Sequence, residues 1–133
     1  MDNHVKDVVR ECTLASNEER ATFPTIVGML MEAGVERYHA DLTRGEKTYY
    51  MPDGSSEIVP SPALQCEIGA AFSAQGVEAA VRATQAQKIK YREFCRSIAM
   101  AGCTDYVVSL VGKRVIYNGR TGESLVEMFP GAT

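Results

Sequence analysis

The length, composition and charge of this chain are typical of one ordinary globular domain. It has 133 residues, of which 45% are hydrophobic and 23% are charged, and its formal net charge at pH 7 is -3. We expect residues 1–133 to form a single domain around one core. The N-terminal sequence MDNHVKDVVREC is polar, and no stretch approaches the roughly 20 apolar residues that cross a bilayer. These features predict a cytoplasmic protein that neither spans a membrane nor is secreted.

The cysteines and histidines form no recognisable metal or redox motif. The four cysteines are far apart in the sequence, without a CxxC pair. A glycine-rich phosphate loop, HExxH and GxSxG are also absent. We therefore expect no metal, no cofactor and no assigned catalytic residue. We interpret the cysteines as small buried hydrophobic residues in a reducing compartment, namely Cys12, Cys66, Cys95 and Cys103.

Two helices are predicted at the start of the chain. Apolar residues at helical spacing indicate the first over residues 3–15. Thr22 is a suitable N-cap for the second helix, and Pro24 fits its first turn. Gly34 is a suitable left-handed stop, so the second helix is expected to end there.

Three strands then form a predicted antiparallel meander. Between Val35 and Thr43, polar and apolar residues alternate with the period of a half-buried strand. Residues 47–51 and 56–59 supply the next two strands, and turn-forming glycine and proline residues separate them. The alternation in the first strand directs one set of side chains inward (Tyr38, Ala40, Leu42) and the other outward (Arg37, His39, Asp41).

A helical connector is predicted after this meander. Ser61 and Pro62 form a cap and first-turn pair for an apolar segment that reaches Phe72, which we interpret as helical. Apolar stripes from Ser73 onward indicate further helix that ends at Gly102. The stripes fit either one long helix or two shorter ones.

A second meander follows the connector. Its strands are predicted at residues 105–111, 114–117 and 123–129. A tight reversal at Gly112-Lys113 joins the first two strands, and an Asn118-Gly119 turn with Gly122 joins the last two. Residues 130–133 are expected to be frayed.

An internal repeat relates the two meanders. Residues 23–65 align without gaps on residues 91–133 at an offset of 68, and eight positions are identical. Composition alone gives roughly two or three such matches. We predict an α+β fold of two pseudo-symmetric helix-plus-three-strand (αβββ) units with antiparallel meanders, plus an N-terminal helix and the helical connector. The two units are expected to share one sheet or to form two abutting sheets.

The first candidate site consists of residues that the repeat leaves unmatched. The outward row of the first strand is titratable, whereas the equivalent row of the second unit is Asp105, Val107 and Ser109. This contrast predicts that the second unit's strand is covered on both faces, and that the first unit's row is exposed or lines a cleft. His39 and Asp41 are expected to touch, which suits general acid/base chemistry. The candidate binding residues are Arg37, His39, Asp41 and Tyr50; the alternative is an ordinary exposed sheet surface.

The second candidate site is a basic helical surface. Residues 79–133 contain 8 basic and 4 acidic residues, whereas residues 1–78 contain 6 basic and 13 acidic residues. Such a surface can bind an anionic partner or follow nucleic-acid phosphates, or it can be a solvated helix face. The basic residues concerned are Arg82, Lys88, Lys90, Arg92 and Arg96.

Several segments of the chain are distinctive. They are GVERYHADL at residues 34–42, KTYYMPDG at residues 47–54, and AGCTDYV and VIYNGRTGE at residues 101–107 and 115–123. In these segments the chain resembles small uncharacterised proteins of the YbcV and YdfO type, which are encoded in enterobacterial genomes and lambdoid prophages. The resemblance covers nearly the whole chain. It implies a cytoplasmic α+β fold and a prophage origin, and it transfers no catalytic residue.

Three functions are compatible with these observations. The first is a non-enzymatic, prophage-derived accessory protein that binds a host or phage macromolecule, for which an unknown protein is one option. The second is a small-molecule-binding protein or enzyme that uses a His39/Asp41 cleft. The third is a weak nucleic-acid binder that uses the basic helix face from Arg82 to Arg96. The sequence is compatible with either a monomer or a homodimer.

Overall fold

A computed structural model of the chain describes residues 1–131 and has an α+β fold. One six-stranded antiparallel sheet contains both meanders, in the strand order β3-β2-β1-β4-β5-β6. Four helices pack against one of its faces, and together they enclose a single core. The elements in chain order are α1 (Asn3–Asn17), α2 (Phe23–Glu32), β1 (Arg37–Asp41), β2 (Glu46–Tyr50), β3 (Ser56–Pro60), a 3₁₀ turn (Pro62–Leu64), α3 (Ala74–Gln85), α4 (Tyr91–Met100), β4 (Cys103–Ser109), β5 (Arg114–Gly119) and β6 (Ser124–Met128).

Capping residues explain where the helices begin and end. The Asp2 carboxylate accepts a hydrogen bond from the Val5 amide at 2.9 Å, which begins α1. Thr22 is the N-cap of α2, as predicted, and Gly34 follows α2 with a φ of +83°. The Ser73 hydroxyl accepts from the Gly76 amide and begins α3. The segment that the sequence left undecided is therefore two helices, α3 and α4.

The central strand pair β1–β4 joins the two meanders into one sheet. Tyr38 lies opposite Tyr49 in the first meander, and Tyr106 lies opposite Tyr117 in the second. The glycines 68 residues apart also match, because Gly34 and Gly102 have φ values of +83° and +85°. These registers support the predicted duplication, and the duplication itself stays a prediction.

Inward side chains of the sheet form one core with the apolar helix faces. The four tyrosines above are buried, as expected for scaffold residues. Their rings pack in tilted pairs, with centroids 5.1 Å apart for Tyr38 and Tyr49 and 5.6 Å apart for Tyr106 and Tyr117. The two meanders therefore contribute similar aromatic layers to the same core.

The prediction of a helix from Pro62 to Phe72 is wrong beyond its first turn. Only Pro62–Leu64 is helical, and the chain then runs irregularly to α3. Its amides bond to other elements: Cys66 donates to the Leu42 carbonyl at 3.0 Å, and Gly69 donates to the Ala99 carbonyl at 2.8 Å. A Cβ atom at Gly69 would overlap the Met100 carbonyl oxygen. The connector is held by these long-range bonds in place of helical ones.

The predicted Asn118-Gly119 turn is also displaced. Strand β5 continues through Gly119, and the reversal follows between Arg120 and Gly122. The Asn118 side chain bonds across the sheet, as described below, so this residue belongs to the ladder. Of the terminal residues predicted to fray, Ala132 and Thr133 lie outside the described residues.

Candidate functional site on the open face of the sheet

The face of the sheet opposite the helices carries three rows of six side chains. Successive strand residues point to opposite faces, so these are the residues that alternate with the core set. None of them is buried. The middle row crosses all six strands in direct register as Ile58, Thr48, His39, Val107, Ile116 and Val126.

The two outer rows of this face differ in charge. The row on one side, here called the basic row, consists of Ser56, Tyr50, Arg37, Ser109, Arg114 and Met128. The row on the other side, here called the acidic row, consists of Pro60, Glu46, Asp41, Asp105, Asn118 and Ser124. The open face is thus a largely apolar band with arginines along one side and carboxylates along the other.

The prediction that the second unit's strand is covered on both faces is wrong. Val107 lies directly opposite His39 on the open face and is itself partly exposed. Because β1 and β4 are neighbours in one antiparallel sheet, their outward rows share the same surroundings. The outward side chains of β4, of which only Val107 is apolar, therefore lie on the open face and are partly exposed.

His39 forms the central polar contact of the open face. Its Nε2 atom lies 3.0 Å from Oδ2 of Asp105 on the neighbouring strand. The hydrogen bond to Asp105 raises the pKa of His39, and partial burial opposes this rise. The pair occupies the boundary between the middle row and the acidic row.

Asp105 is held by three side chains. Asn118 Nδ2 donates to Oδ2 at 3.0 Å, and the Thr104 hydroxyl donates to Oδ1 at 2.8 Å. Burial acts to raise the pKa of Asp105, but the hydrogen bonds from His39, Asn118 and Thr104 together hold it below its usual value. The carboxylate therefore stays ionised and can fix the orientation of the imidazole.

The predicted contact between His39 and Asp41 is wrong. The Asp41 carboxylate turns toward the β1–β2 turn and accepts from the amides of Thr43 at 2.9 Å and Arg44 at 3.0 Å. An aspartate that ends a strand readily makes this local bond. Asp105 contacts His39 in place of Asp41. It lies diagonally opposite His39 on β4, and diagonal neighbours on adjacent strands are close enough for long side chains to touch.

Arg37 and Tyr50 form a second contact on the open face. The Arg37 guanidinium lies 4.0 Å from the centroid of the Tyr50 ring, and the two residues are directly opposite in the β1–β2 ladder. All four predicted binding residues thus lie on one face. Neither of the two described concavities, of about 370 and 450 Å³, is lined by any of them.

The predicted basic surface divides into two parts. Arg82 is paired with Glu127 of β6 at 3.2 Å and with Glu78 at 3.7 Å. The other four basic residues line the concavity of about 370 Å³ at the start of α4, and we call them the basic ring: Lys88, Lys90, Arg92 and Arg96. Four of the five predicted basic residues thus lie together at the start of α4, and Arg82 lies apart from them on α3.

A carboxylate of the same chain, that of Glu19, lines the same concavity as the basic ring. Glu19 Oε2 lies 3.4 Å from the Arg92 amide at the N-terminus of α4. The Arg92 guanidinium donates to the Asn17 carbonyl at 2.9 Å, which ties this helix end to the α1–α2 loop. Glu93 also lines the concavity. The ring is therefore a site of mixed charge in which cations predominate.

Lys47 is a buried titratable residue that sequence analysis did not single out. Its side chain is 1% exposed, and Nζ lies 4.8 Å from the Tyr91 ring centroid and 5.5 Å from that of Tyr38. Burial lowers its pKa to about 8. The alternation that directs Tyr49 inward also directs Lys47 inward, and its repeat partner is the apolar Val115. These two signals together could have identified it.

Tests for metal-binding and membrane-spanning features give negative results over residues 1–131. No group of three His, Cys, Asp or Glu side chains within this range is arranged to hold a metal ion. Its helices are also too short or too polar for any of them to cross a membrane.

Comparison with protein families assigns this chain to a family. The sequence model of the family described as "Protein of unknown function (DUF1398)" matches residues 14–127, which is most of the chain. A comparison with curated proteins finds no match.

Proposed function

We propose that this chain, which belongs to the DUF1398 family of proteins of unknown function, is a non-enzymatic accessory protein that binds a protein partner through the basic ring. The partner contributes an acidic segment. We further propose that the protein acts in the bacterial cytoplasm and is of prophage origin, as the sequence resemblance implies.

The position of Glu19 is the observation that carries this proposal. Its carboxylate lies 3.4 Å from the Arg92 amide at the N-terminus of α4, in a concavity that four cationic side chains also line. A carboxylate from another protein meets the same cations and the same end of the helix dipole. Lys88, Lys90 and Arg96 are exposed, and none of them forms a salt bridge within residues 1–131, so their charges remain available.

A short acidic peptide fits this ring better than a nucleic-acid backbone does. A phosphate backbone needs a track of cations, because each phosphate contact adds an increment of affinity. The basic ring lines one concavity and does not form an extended track, and Glu19 and Glu93 line the same concavity. Arg82, which would extend the track, is neutralised by Glu127.

The proposal is tested with a fluorescent acidic peptide and a fluorescent oligonucleotide of equal length. We expect wild-type protein to bind the peptide and Lys88→Glu/Lys90→Glu to bind it at least about tenfold more weakly, which corresponds to about 1.4 kcal/mol. Lys6→Glu/Lys113→Glu makes the same change in net charge elsewhere and is expected to bind normally. Arg92 is left intact because it bonds to Asn17. Tighter binding of the oligonucleotide, with a steep salt dependence, would instead support the nucleic-acid function.

A second candidate function is supported by the His39–Asp105 pair. A histidine held by a carboxylate that is itself fixed by Asn118 and Thr104 is suited to general acid/base chemistry. The pair lies on an open face with no cleft described around it, so a substrate would gain little from exclusion of water. Ligand-induced thermal stabilisation that is present in wild type and absent in His39→Ala would favour this function over the first.

A further inference from the structure

The open face of the sheet exposes apolar side chains where a solvated face would carry polar ones. Ile58 and Val126, at the two ends of the middle row, are 59% and 49% exposed. Val107 and Ile116 lie between them in the same row. An antiparallel sheet with one solvated face normally alternates apolar-in with polar-out. Four of the six residues of this row are apolar and none of the four is buried, although Thr48 and His39 separate Ile58 from the other three, so the row indicates a surface that becomes covered.

The charges beside the middle row are arranged with opposite signs. Arg37 and Arg114 lie in the basic row on one side, and Glu46, Asp41 and Asp105 lie in the acidic row on the other. Such a surface matches a partner whose charges run in the opposite direction across the same apolar band. The chain itself presents such a surface when it is turned over.

We propose that a second copy of this chain covers the open face, in a symmetric dimer whose twofold axis runs along the middle row. This rotation reverses the strand direction and lays the basic row of each copy over the acidic row of the other. Arg37 then faces Asp41 of the second copy, and Asp41 faces its Arg37. The middle rows meet along the axis, each residue opposite its own counterpart, and bury Ile58, Val107, Ile116 and Val126. His39 also faces the second copy's His39, with each imidazole bonded to Asp105 of its own chain.

Another twofold axis in the same plane gives an unfavourable arrangement. An axis parallel to the strands lays basic row on basic row and acidic row on acidic row. Like charges facing each other at an interface cost several kcal/mol. The charge pattern therefore selects the axis along the middle row. Sheets packed face to face also keep their strands within about 30° of alignment, which this arrangement allows.

The area of the open face is compatible with a modest dimer. Six strands at about 4.8 Å spacing and five residues at a rise of about 3.4 Å cover roughly 500 Å². Two copies then bury about 1,000 Å² in total, which is near the lower bound for a specific interface. We expect an affinity in the micromolar range. Because the basic ring lies at the N-terminus of α4 in the helix layer, this dimer leaves both rings accessible.

Sedimentation velocity over a wide concentration range tests the dimer. Wild-type protein is expected to shift from 14.5 kDa toward twice that mass as its concentration rises. Ile58→Arg and Val126→Arg are expected to remain monomeric. Because both positions are exposed, both variants are expected to fold, and circular dichroism checks this. Met100→Arg, at a position that is 77% exposed at the end of α4 in the helix layer, is expected to dimerise normally.

The charge pattern is tested separately with Arg37→Asp and with salt. If the twofold axis runs along the middle row, Arg37→Asp raises the dissociation constant of the dimer at least about tenfold, and added salt raises that of the wild-type dimer. A tighter dimer of Arg37→Asp would indicate the other axis and overturn the proposal. A wild-type chain that stays monomeric at every concentration, or middle-row variants that still dimerise, would overturn it as well. These outcomes are independent of peptide binding by the basic ring.

Discussion

His39 on β1 contacts Asp105 on β4 across the centre of the sheet, with Nε2 and Oδ2 3.0 Å apart. The two residues are 66 positions apart in sequence. They belong to different meanders, so the contact links the two halves of the fold on the open face.

The His39–Asp105 pair is expected to make stability depend on pH. The pKa of His39 is raised from 6.5, so its contribution is complete below that value and is lost as pH rises through the raised pKa. The pKa of Asp105 is lowered from 3.8, so its contribution is present above 3.8 and is lost as pH falls through the lowered pKa. At pH values between the pKa of Asp105 and the pKa of His39, both side chains are charged. A double-mutant cycle with His39→Gln and Asp105→Asn, measured by urea unfolding, should there give a coupling free energy of about 0.5–1 kcal/mol. The coupling should vanish in alkaline solution; a coupling independent of pH would contradict the assigned charges.

Replacing Lys47 with methionine is expected to stabilise the fold. Removing a desolvated ammonium from the core should raise the free energy of unfolding by about 1–3 kcal/mol at neutral pH. The pKa of Lys47 falls from 10.5 to about 8 on folding, so the unfolded chain binds more protons between these values. The advantage of Lys47→Met over wild type should therefore shrink as pH rises from 8 toward 10.5. Lys113→Met, at an exposed position, serves as the control and should show neither effect.

Two glycine-to-alanine substitutions are expected to have opposite effects. At Gly69, an added Cβ overlaps the Met100 carbonyl oxygen, so Gly69→Ala should lower the free energy of unfolding by about 2 kcal/mol or more. At Gly28, within α2, no atom lies within 4 Å of an added Cβ. Gly28→Ala should raise the free energy of unfolding by about 0.5–1 kcal/mol, because alanine favours the helix. Chemical denaturation measures the free energy of unfolding of both variants. An equal change in the two would argue against the close packing of Gly69 against Met100.

The cysteines are expected to differ in reactivity. Cys12, Cys95 and Cys103 are buried, and burial raises the pKa of their thiols to about 11, 12 and 12. Cys66 is partly exposed, although burial raises its pKa as well. A thiol reagent should therefore label Cys66 first in native protein and label the other three only on unfolding. Cys66→Ser should remove the fast phase of labelling. Rapid labelling of that variant would contradict the burial of the other three cysteines.

Much of the fold was predictable because its signals are local. The alternation around Tyr38 directs side chains inward or outward whatever the partner strand is. Gly34 and Gly102 end helices because they adopt positive φ without steric cost. The element order and the α+β class follow from such signals, whereas the irregular connector after Leu64 depends on bonds to Leu42 and Ala99 that lie far away in sequence.

The candidate site was predictable only in part. Arg37, His39, Asp41 and Tyr50 lie on one face as expected, because period-two alternation assigns the face. The sequence alone thus determined which residues point outward and which build the scaffold. Only the tertiary structure decided that β1 pairs with β4, that His39 contacts Asp105 in place of Asp41, and that Lys47 is enclosed by tyrosines. Such choices depend on strand register and on packing between distant segments, and these are set by the free energy of the whole fold rather than by any local pattern.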